Sequence, residues 1–431
     1  MTTMAFRRNL RCKQRGAVAI ITALSLVALV GFVGLALDLG HLYVNKTELQ
    51  NAADACALAA ARELTCDPSA GVCDNSYLNN AVAAGTAVAA RNTRDFQASP
   101  VIIAPSDVLF HTALAPNAAY LPSSSASPNS RFVMCTARAE GIAPWFMQVL
   151  GIGAHDVSAY AVSTLRRAQT NCAIPIGLCK PPSAPLSSPF SGFIVGQWVT
   201  SKLTESATGS FDWIDFTPED GGGANELANL LRGAGQCSLE PPSPTNLVGQ
   251  QGNIASLGKA WNTRFGLYKG SDTPASAPPD WTGMTYRDTE LPESTYWHDK
   301  FDAYAGEAEG TLSNYRDARA NNSPYQGPAL NGYQPIDQSK HKQFGGDRRT
   351  VVVPLVDCES WKTSTPQTVP ILGYACVLML HPMTNDNGPA AGEQVWLEYR
   401  GNASESSSPC ATSGAVGGPG SIGPLVPALV Q

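Results

Sequence analysis

The sequence predicts an α+β protein. A long N-terminal transmembrane helix continues into an alanine-rich helical hairpin and a small antiparallel sheet, and a β-rich, disulfide-containing second domain follows. Three observations predict this class. An uncharged apolar run of 21 residues, Ala17–Leu37, leads towards two alanine-rich blocks. Runs rich in β-branched residues come later in the chain. Ten of the eleven cysteines follow the apolar run, which is typical of an exported, disulfide-bonded protein.

The apolar run Ala17–Leu37 is long enough to cross the roughly 30 Å hydrocarbon layer as one helix. Five basic residues and no acidic ones precede it. The positive-inside rule therefore places residues 1–16 in the cytoplasm and the bulk of the chain on the other side of the membrane. A cleaved signal peptide is the alternative, because Gly34 and Ala36 offer a small-x-small site. The run exceeds the usual 7–15 apolar residues of a signal peptide, which favours a retained single-pass anchor.

The charge of the exported part argues against nucleic acid as a partner. The formal net charge of the chain is −6, and removal of the five positive charges before Ala17 leaves −11 for the rest. Binding to phosphates needs net positive charge, so the sequence predicts no nucleic-acid partner. The lipid bilayer is the partner that the apolar run predicts.

An unbroken helix is expected to leave the membrane. No proline occurs before Pro68, so nothing interrupts a helix between the apolar run and the first alanine block. Seven alanines lie in positions 52–61 and six in positions 81–90. Alanine has the highest helix propensity and little bulk, so two such helices can pack closely as a hairpin. Within the membrane run, Ser25, Ala28, Gly31 and Gly34 form a small-residue face that favours packing against another membrane helix.

The sequence predicts two β-containing regions in the rest of the chain. We expect a helix-plus-sheet domain over 38–168, with a short helix that has Pro144 in its first turn and Gly151 after it. A β-rich domain follows over 171–405, with a helix at Ala224–Gly235 and a loop-rich middle at 240–348. Residues 406–431 are expected to be a flexible tail. The predicted strands of the first domain are Val101–Ile103, Val108–His111, Arg131–Arg138 and Asp156–Leu165. The predicted strands of the second sheet are Arg349–Cys358, Val369–Pro382 and Glu393–Gly401.

The cysteines indicate disulfides rather than a metal site. Two close pairs enclose short loops, Cys66 with Cys73 and Cys172 with Cys179, and Cys358 with Cys376 could join two neighbouring strands. Sequence alone does not fix such pairings. No CxxC or HxxxH spacing occurs, so we expect neither zinc nor another cofactor.

The segment from Arg15 onwards resembles the N-terminal signature of the Tad (Flp) pilus-assembly TadE/TadG-like family. "RGA" leads into the apolar run, an "AxDxGxxY" element follows, and "LQNAADACALAAA" (Leu49–Ala61) completes the signature with Cys56 in place of an alanine. The motif residues are Arg15, Gly16, Asp38, Gly40, Tyr43, Leu49, Gln50, Asn51 and Asp54. The resemblance extends to about residue 168 through "FVMCTARAEGIAPWFMQVLGI" and "VSAYAVSTL" and is looser beyond Asn171.

The resemblance implies a non-enzymatic structural component of a pilus-assembly and secretion system, anchored in the bacterial inner membrane. Its implied partners are other pilus-machine subunits, reached through the transmembrane and alanine-rich helices. Two features depart from related patterns. Ile21 stands where prepilin processing after Gly16 typically has glutamate, and no DxSxS motif of a von Willebrand A domain is present. A surface-exposed pilus-tip subunit or adhesin is the alternative function.

Four polar residues of the long helix invite a functional interpretation. Asp38 lies at the outer boundary of the apolar run, where ordinary interface solvation explains it. His41 and Tyr43 suit an interfacial belt, and Asp54 is expected to be exposed. No GxSxG, HExxH or phosphate-binding glycine loop occurs, so the sequence predicts no enzyme.

Overall fold

A computed structural model gives the fold. It describes residues 15–65, 73–114, 120–201, 211–218, 223–250, 257–283, 285, 322–325, 327, 329–361, 368–384, 395–418 and 420–430. The chain forms two compact units. Unit 1 comprises Met1–Leu165 and Pro427–Gln431, and unit 2 comprises Arg166–Val426. The predicted α+β class, with a β-rich second part, is confirmed.

Two helices form the helical half of unit 1. Helix α1 (Arg15–Arg62) runs without a break for 48 residues, which is about 72 Å at 1.5 Å per residue. Helix α2 (Ser76–Ala89) packs against its alanine-rich half. The two helices approach closely at Gly85, where an added Cβ would lie 3.0 Å from Cys56 Sγ and 3.2 Å from Ala60 Cβ. Small side chains on both helices allow this approach, as the alanine blocks predict.

The sheet of unit 1 is antiparallel, with strand order β4–β3–β5–β6. Its strands are β3 (Val108–His111), β4 (Leu121–Pro122), β5 (Phe132–Ile142) and β6 (His155–Thr170), and β1 (Thr93–Arg94) pairs with β2 (Ser99–Pro100) in a separate hairpin. Strand β5 buries alternate residues from Val133 to Ala139. The alternation follows because one face of β5 packs against α1.

Two local predictions for unit 1 are wrong. Residues 101–103 form no strand, although Val101 and Ile103 are buried. The helix predicted around Pro144 is a single 3₁₀ turn, Met147–Leu150, which starts after that proline. Gly151 has φ 78° at the end of this turn, as the expected helix stop requires.

The main sheet of unit 2 contains eight strands among the described residues, in the order β14–β10–β9–β7–β13–β15–β16–β8. Strands β7 and β13 are parallel, and the other pairs are antiparallel. The strands are β7 (Ile176–Cys179), β8 (Trp198–Ser201), β9 (Phe211–Asp215), β10 (Ser243–Gln250), β13 (Thr350–Val356), β14 (Thr368–Ile371), β15 (Gly373–Met379) and β16 (Val395–Asn402). A small pair is formed by β11 (Leu267–Tyr268) and β12 (Gln334–Pro335).

Unit 2 also contains four short helices among its described residues. They are α3 (Ala224–Arg232), α4 (Leu257–Thr263), α5 (Gln338–Phe344) and α6 (Cys358–Trp361). The helix predicted at Ala224–Gly235 is confirmed and ends at Arg232. Trp213 of β9 and Trp261 of α4 meet edge to face in the core, with ring centroids 6.1 Å apart. Strand β10 and helices α4 and α5 fall inside the predicted loop-rich middle, of which residues 286–321 lie outside the described part.

The segment predicted to be a flexible tail forms two strands. They are β17 (Ala411–Val416) and β18 (Leu425–Leu429), and both pair with β6. In unit 1, Ser163 Oγ donates to the carbonyl of Ala428 at 2.9 Å. The prediction failed because serine, glycine and proline suggested disorder, whereas backbone pairing with the edge of β6 needs no apolar side chains.

Four disulfides join described residues: Cys56–Cys135, Cys172–Cys237, Cys179–Cys358 and Cys376–Cys410. The predicted pairs of Cys172 with Cys179 and of Cys358 with Cys376 are therefore wrong. Six residues of mostly extended chain lie between Cys172 and Cys179, which places them roughly 20 Å apart at 3.3 Å per residue, too far for a bridge.

Strand register explains the partners of the remaining cysteines. Val356 of β13 pairs with Cys179 of the parallel strand β7, which brings Cys358 close to Cys179. Cys376 lies opposite Val352, six residues before Cys358, and so cannot reach Cys358. Cys73 is also disulfide-bonded. Its predicted partner Cys66 lies outside the described residues.

Candidate functional site

The motif residues of the sequence all lie on α1 but divide between two faces of it. Asp38 and Leu49 are buried against unit 1. Gly40, Tyr43 and Asn51 lie on the exposed face, and an added Cβ at Gly40 would meet nothing within 4 Å. Arg15 and Gly16 form the start of α1. Gln50 and Asp54 lie between the two faces and are bonded to each other, with Gln50 Nε2 2.7 Å from Asp54 Oδ1.

The Asp38 carboxylate binds a loop far along the chain. It accepts hydrogen bonds from the backbone N–H groups of Trp145 at 2.7 Å, Phe146 at 3.1 Å and Met147 at 2.7 Å. Only 4% of Asp38 is exposed. The interface solvation expected for this aspartate is therefore wrong, because protein N–H groups take the place of water.

The need for this contact lies in the loop between β5 and β6. The first N–H groups of a helical turn have no acceptor within the turn itself. Phe146 occupies the N-cap position of the 3₁₀ turn Met147–Leu150 and makes no side-chain cap. Asp38 supplies the missing acceptor from α1, and charge strengthens such bonds to N–H groups. We call residues 143–153, which Asp38 holds in this way, the Asp38-bound loop.

The same loop packs on α1 one turn before Asp38. An added Cβ at Gly34 would lie 2.9 Å from Phe146 Cβ, so only glycine lets the loop approach so closely. The small-residue face predicted to receive another membrane helix is thus partly covered by the chain itself. At Gly31, by contrast, an added Cβ would meet nothing within 4 Å.

His41, one turn after Asp38, completes the contact between α1 and unit 1. Its ring stacks on Trp145 with centroids 4.3 Å apart, and its Nε2 lies 2.6 Å from Asp95 Oδ1. Only 5% of His41 is exposed, so the interfacial belt predicted for it is wrong, whereas Tyr43 is exposed.

The turn that carries Asp95 is itself strained. Asp95, Phe96 and Gln97 have φ values of 57°, 55° and 69°. Each left-handed non-glycine residue costs roughly 1 kcal/mol or more, so surrounding contacts must hold the turn. Phe96 lies 6.0 Å from Trp145 between ring centroids. The turn between β1 and β2 is therefore shaped by its packing on His41 and the Asp38-bound loop.

The alanine-rich half of α1 is fixed to the sheet by covalent and polar contacts. The disulfide Cys56–Cys135 joins α1 to the centre of β5. Gln50 Nε2 donates to the carbonyl of Tyr160 at 3.0 Å, and Lys46 donates to that of Ser158. Asp54 is half-buried rather than exposed as predicted. These contacts make the outer half of α1 part of the fold of unit 1.

Unit 2 contains a buried polar network at the end of α3. Arg264 Nε donates to the carbonyl of Leu231 at 2.8 Å and its terminal nitrogen to that of Gly233 at 3.2 Å. These bonds satisfy the last carbonyls of the helix. Burial lowers the pKa of Arg264 to about 9, the nearby Arg348 charge adds to this effect, and Asp280 opposes it.

Asp280 connects this network to the first strand of the predicted second sheet. Arg349 Nε lies 3.3 Å from Asp280 Oδ2, and both side chains are fully buried. His341 Nδ1 lies 3.0 Å from the carbonyl of Asp280, and burial lowers the pKa of His341. These contacts run to backbone groups and to one another, which is the arrangement of a structural network.

The described residues offer no metal centre. Within the ranges given above, no group of three or more His, Cys, Asp or Glu side chains is placed to hold an ion. His381 illustrates how histidines are used, since its Nε2 accepts from the backbone N–H of Trp396 at 3.0 Å.

Sequence reasoning missed Trp145, Phe146 and Asp95. They lie between 54 and 108 positions from their hydrogen-bonding partners on α1, so no local periodicity could connect them. The one available signal was the aromatic pair "WF" in a connection between two strands, where polar turn residues are usual.

The architecture defines a protein whose long helix combines two environments. The N-terminal part of α1 is long and apolar enough to cross a membrane, and the following part is integrated into unit 1. Residues 16–63 match the family described as "Putative Flp pilus-assembly TadE/G-like". The match coincides with α1, confirms the resemblance of that segment and supports a pilus-related role. No curated protein and no solved structure matches the chain.

Proposed function

We propose that the chain is a non-enzymatic structural component of a Tad/Flp-type pilus assembly and secretion system, anchored in the inner membrane by α1. Residues 1–16 lie in the cytoplasm in this proposal, and unit 2 and the part of unit 1 that follows the apolar run lie on the periplasmic side. The observation that carries the proposal is the single helix Arg15–Arg62, which coincides with the family match and is unbroken from its apolar start to its alanine-rich end.

The contacts that α1 makes after its apolar run support the role of a scaffold rather than that of a simple tether. A tether needs only a flexible connection after the membrane span. Here Asp38, His41 and Cys56 each bind the rest of unit 1 from successive parts of the helix. The first of them follows the apolar run directly, so unit 1 would be held at a fixed height and rotation relative to the membrane.

An exposed face of α1 remains for a partner subunit. Gly40, Tyr43 and Asn51 lie on this face at helical spacing and are not buried by unit 1. All three belong to the segment that matches the pilus-assembly family. We propose that other pilus-machine subunits bind along this face, with Gly40 allowing close approach of a helix.

The buried polar groups of unit 2 support a structural role in this proposal. Three of the buried ionisable groups of unit 2, Arg264, Arg349 and Asp280, bond to backbone groups or to each other. Buried bonds of this kind are typical of groups that stabilise a fold. We therefore propose that the chain catalyses no reaction.

Co-purification tests the proposal. The full chain would be solubilised from membranes in mild detergent and isolated by an affinity tag, beside a Gly40→Leu, Asn51→Leu variant that blocks the exposed face of α1. We expect subunits of the pilus machine to accompany the wild type and to be depleted with the variant. Recovery of the chain in sheared pili, rather than in the inner-membrane fraction, would overturn the proposal in favour of a pilus-tip subunit or adhesin.

A further inference from the structure

The Asp38-bound loop places apolar side chains beside the membrane-spanning part of α1. Val149 is 90% exposed, Trp145 53% and Phe146 47%. Between Gly141 and Ala154 no residue is charged, and Gln148 is the one polar side chain. Charged or ionisable residues resume at both ends, with Glu140 and Asp156 exposed. An uncharged loop thus projects from a strand pair whose ends are polar.

The depth of the loop is set by its contacts with the helix. Phe146 packs on Gly34, which lies four residues before Asp38, about 6 Å along a helix at 1.5 Å per residue. Gly34 belongs to the uncharged run Ala17–Leu37. A lipid environment that surrounds this run of α1 up to Gly34 must therefore also surround Phe146. Leu35 and Leu37 of α1 are exposed at the same level and continue the apolar surface.

Six backbone N–H groups of the loop have acceptors within the protein. In a bilayer, N–H groups must find acceptors within the protein. Those of Trp145, Phe146 and Met147 are bound by Asp38. Those of Val149, Gly151 and Ile152 donate within the loop to Phe146, Gln148 and Met147. The side-chain amide of Gln148 donates to the carbonyl of Pro144 at 2.6 Å.

We propose that the Asp38-bound loop inserts into the outer interface of the bilayer and forms a second membrane contact beside α1. Phe146 and Val149 enter the acyl boundary, and Trp145 lies at headgroup level, where aromatic side chains are enriched. Lipid is the occupant because the loop continues the lipid-facing surface of the anchor. This inference rests on the proposed membrane anchoring of α1.

Asp38 gains a specific role from this arrangement. A carboxylate at the hydrocarbon edge is costly unless its charge is compensated. The three N–H groups of the loop provide that compensation, and the loop obtains in return the acceptor that its first turn lacks. The carboxylate of the helix and the N–H groups of the loop are therefore hydrogen-bonded to each other at the edge of the hydrocarbon layer, where water is scarce.

Depth measurements in a bilayer test the inference. The full chain would be placed in lipid nanodiscs with a spin label on p-acetylphenylalanine, which leaves the cysteines untouched. The label would replace Val149, Leu29 within the apolar run, or Ser124 in the exposed turn before β5, one position per sample. The collision rate of the label with oxygen reports its exposure to lipid, and the collision rate with a water-soluble nickel complex reports its exposure to water.

We expect oxygen collisions to exceed nickel collisions several-fold at Val149 and at Leu29, and the reverse at Ser124. A lipid signal at Leu29 with a water signal at Val149 would overturn the loop inference and leave the anchor standing. Protection of Val149 from both reagents would also overturn it, because protein would then cover the loop. A water signal at Leu29 would contradict the anchor itself and the loop inference with it.

Discussion

Asp38 and Met147 are joined by a 2.7 Å hydrogen bond across 109 positions of the chain. The bond connects the end of the apolar run of α1 to the tip of the β5–β6 connection. It couples the part of the helix that follows the apolar run to the sheet, and the conformation of the loop to the helix.

Replacing Asp38 should loosen the loop that it binds. In Asp38→Ala, the N–H groups of Trp145, Phe146 and Met147 lose their acceptor, so we expect faster hydrogen exchange over residues 143–153. Asp38→Asn keeps one acceptor oxygen and should have an intermediate effect. Asn51→Ala, at an exposed position of the same helix, is the control. Equal exchange in Asp38→Ala and Asn51→Ala would show that the carboxylate does not hold the loop.

Two glycines of α1 should respond differently to the same substitution. Gly34→Ala brings a methyl group against Phe146, and overpacking of this kind costs about 1–3 kcal/mol. Gly31→Ala meets open space and should gain up to about 1 kcal/mol from helix propensity. Thermal unfolding of the full chain in detergent should therefore place Gly34→Ala below Gly31→Ala. The opposite order would contradict the close packing at Gly34.

The disulfide Cys56–Cys135 should stabilise unit 1 strongly, because it closes a loop with a sequence separation of 79. Loss of such a bridge costs about 2–5 kcal/mol. We expect the double variant Cys56→Ala, Cys135→Ala to lower the denaturant midpoint of unit 1. Hydrogen exchange in peptides of β5 measures that midpoint. Peptide mapping without reductant supplies the direct check, and a free thiol at either position would refute the bridge.

Arg264 should contribute more to the free energy of unfolding of unit 2 than an arginine nearer the surface. Arg264→Ala leaves several buried carbonyls of α3 without a donor and should cost about 3 kcal/mol or more. Arg232 pairs with Asp272 at 2.9 Å and keeps part of its side chain exposed, so Arg232→Ala should cost less than Arg264→Ala. Denaturant unfolding of both variants measures the difference. Similar midpoints would mean that the buried bonds add little.

Local patterns in the sequence were enough to predict the elements but not their long-range contacts. Alanine density and the absence of proline identified α1 and α2, and β-branched runs identified β13, β15 and β16. The disulfide partners depended on strand register, as at Cys179 and Cys358, which the sequence does not encode locally. Strands β17 and β18 were missed because their pairing with β6 uses backbone groups.

The candidate site was predictable only in part, because local patterns can be recognised in the sequence and long-range contacts cannot. The motif residues were found because they are adjacent on one helix. Their division into a buried face with Asp38 and an exposed face with Gly40 and Tyr43 emerges only once the sheet covers one side. Neither the partner of Asp38 nor the contact of Phe146 with Gly34 has a signature within a window of the sequence.

Anchoring by α1 is the central claim, and alkaline extraction of membranes after charge insertion tests it most directly. An arginine at the centre of a span costs roughly 2.5–3.5 kcal/mol on insertion scales, whereas each large apolar residue contributes only about −0.3 to −0.6 kcal/mol. The double variant Leu26→Arg, Leu29→Arg should therefore abolish insertion, and Thr47→Arg, outside the run, should not. We predict that wild type and Thr47→Arg stay in the membrane pellet while the double variant is lost from it. Retention of the double variant in the pellet, or a wild-type chain that begins after Ala36 and is soluble, would contradict the account.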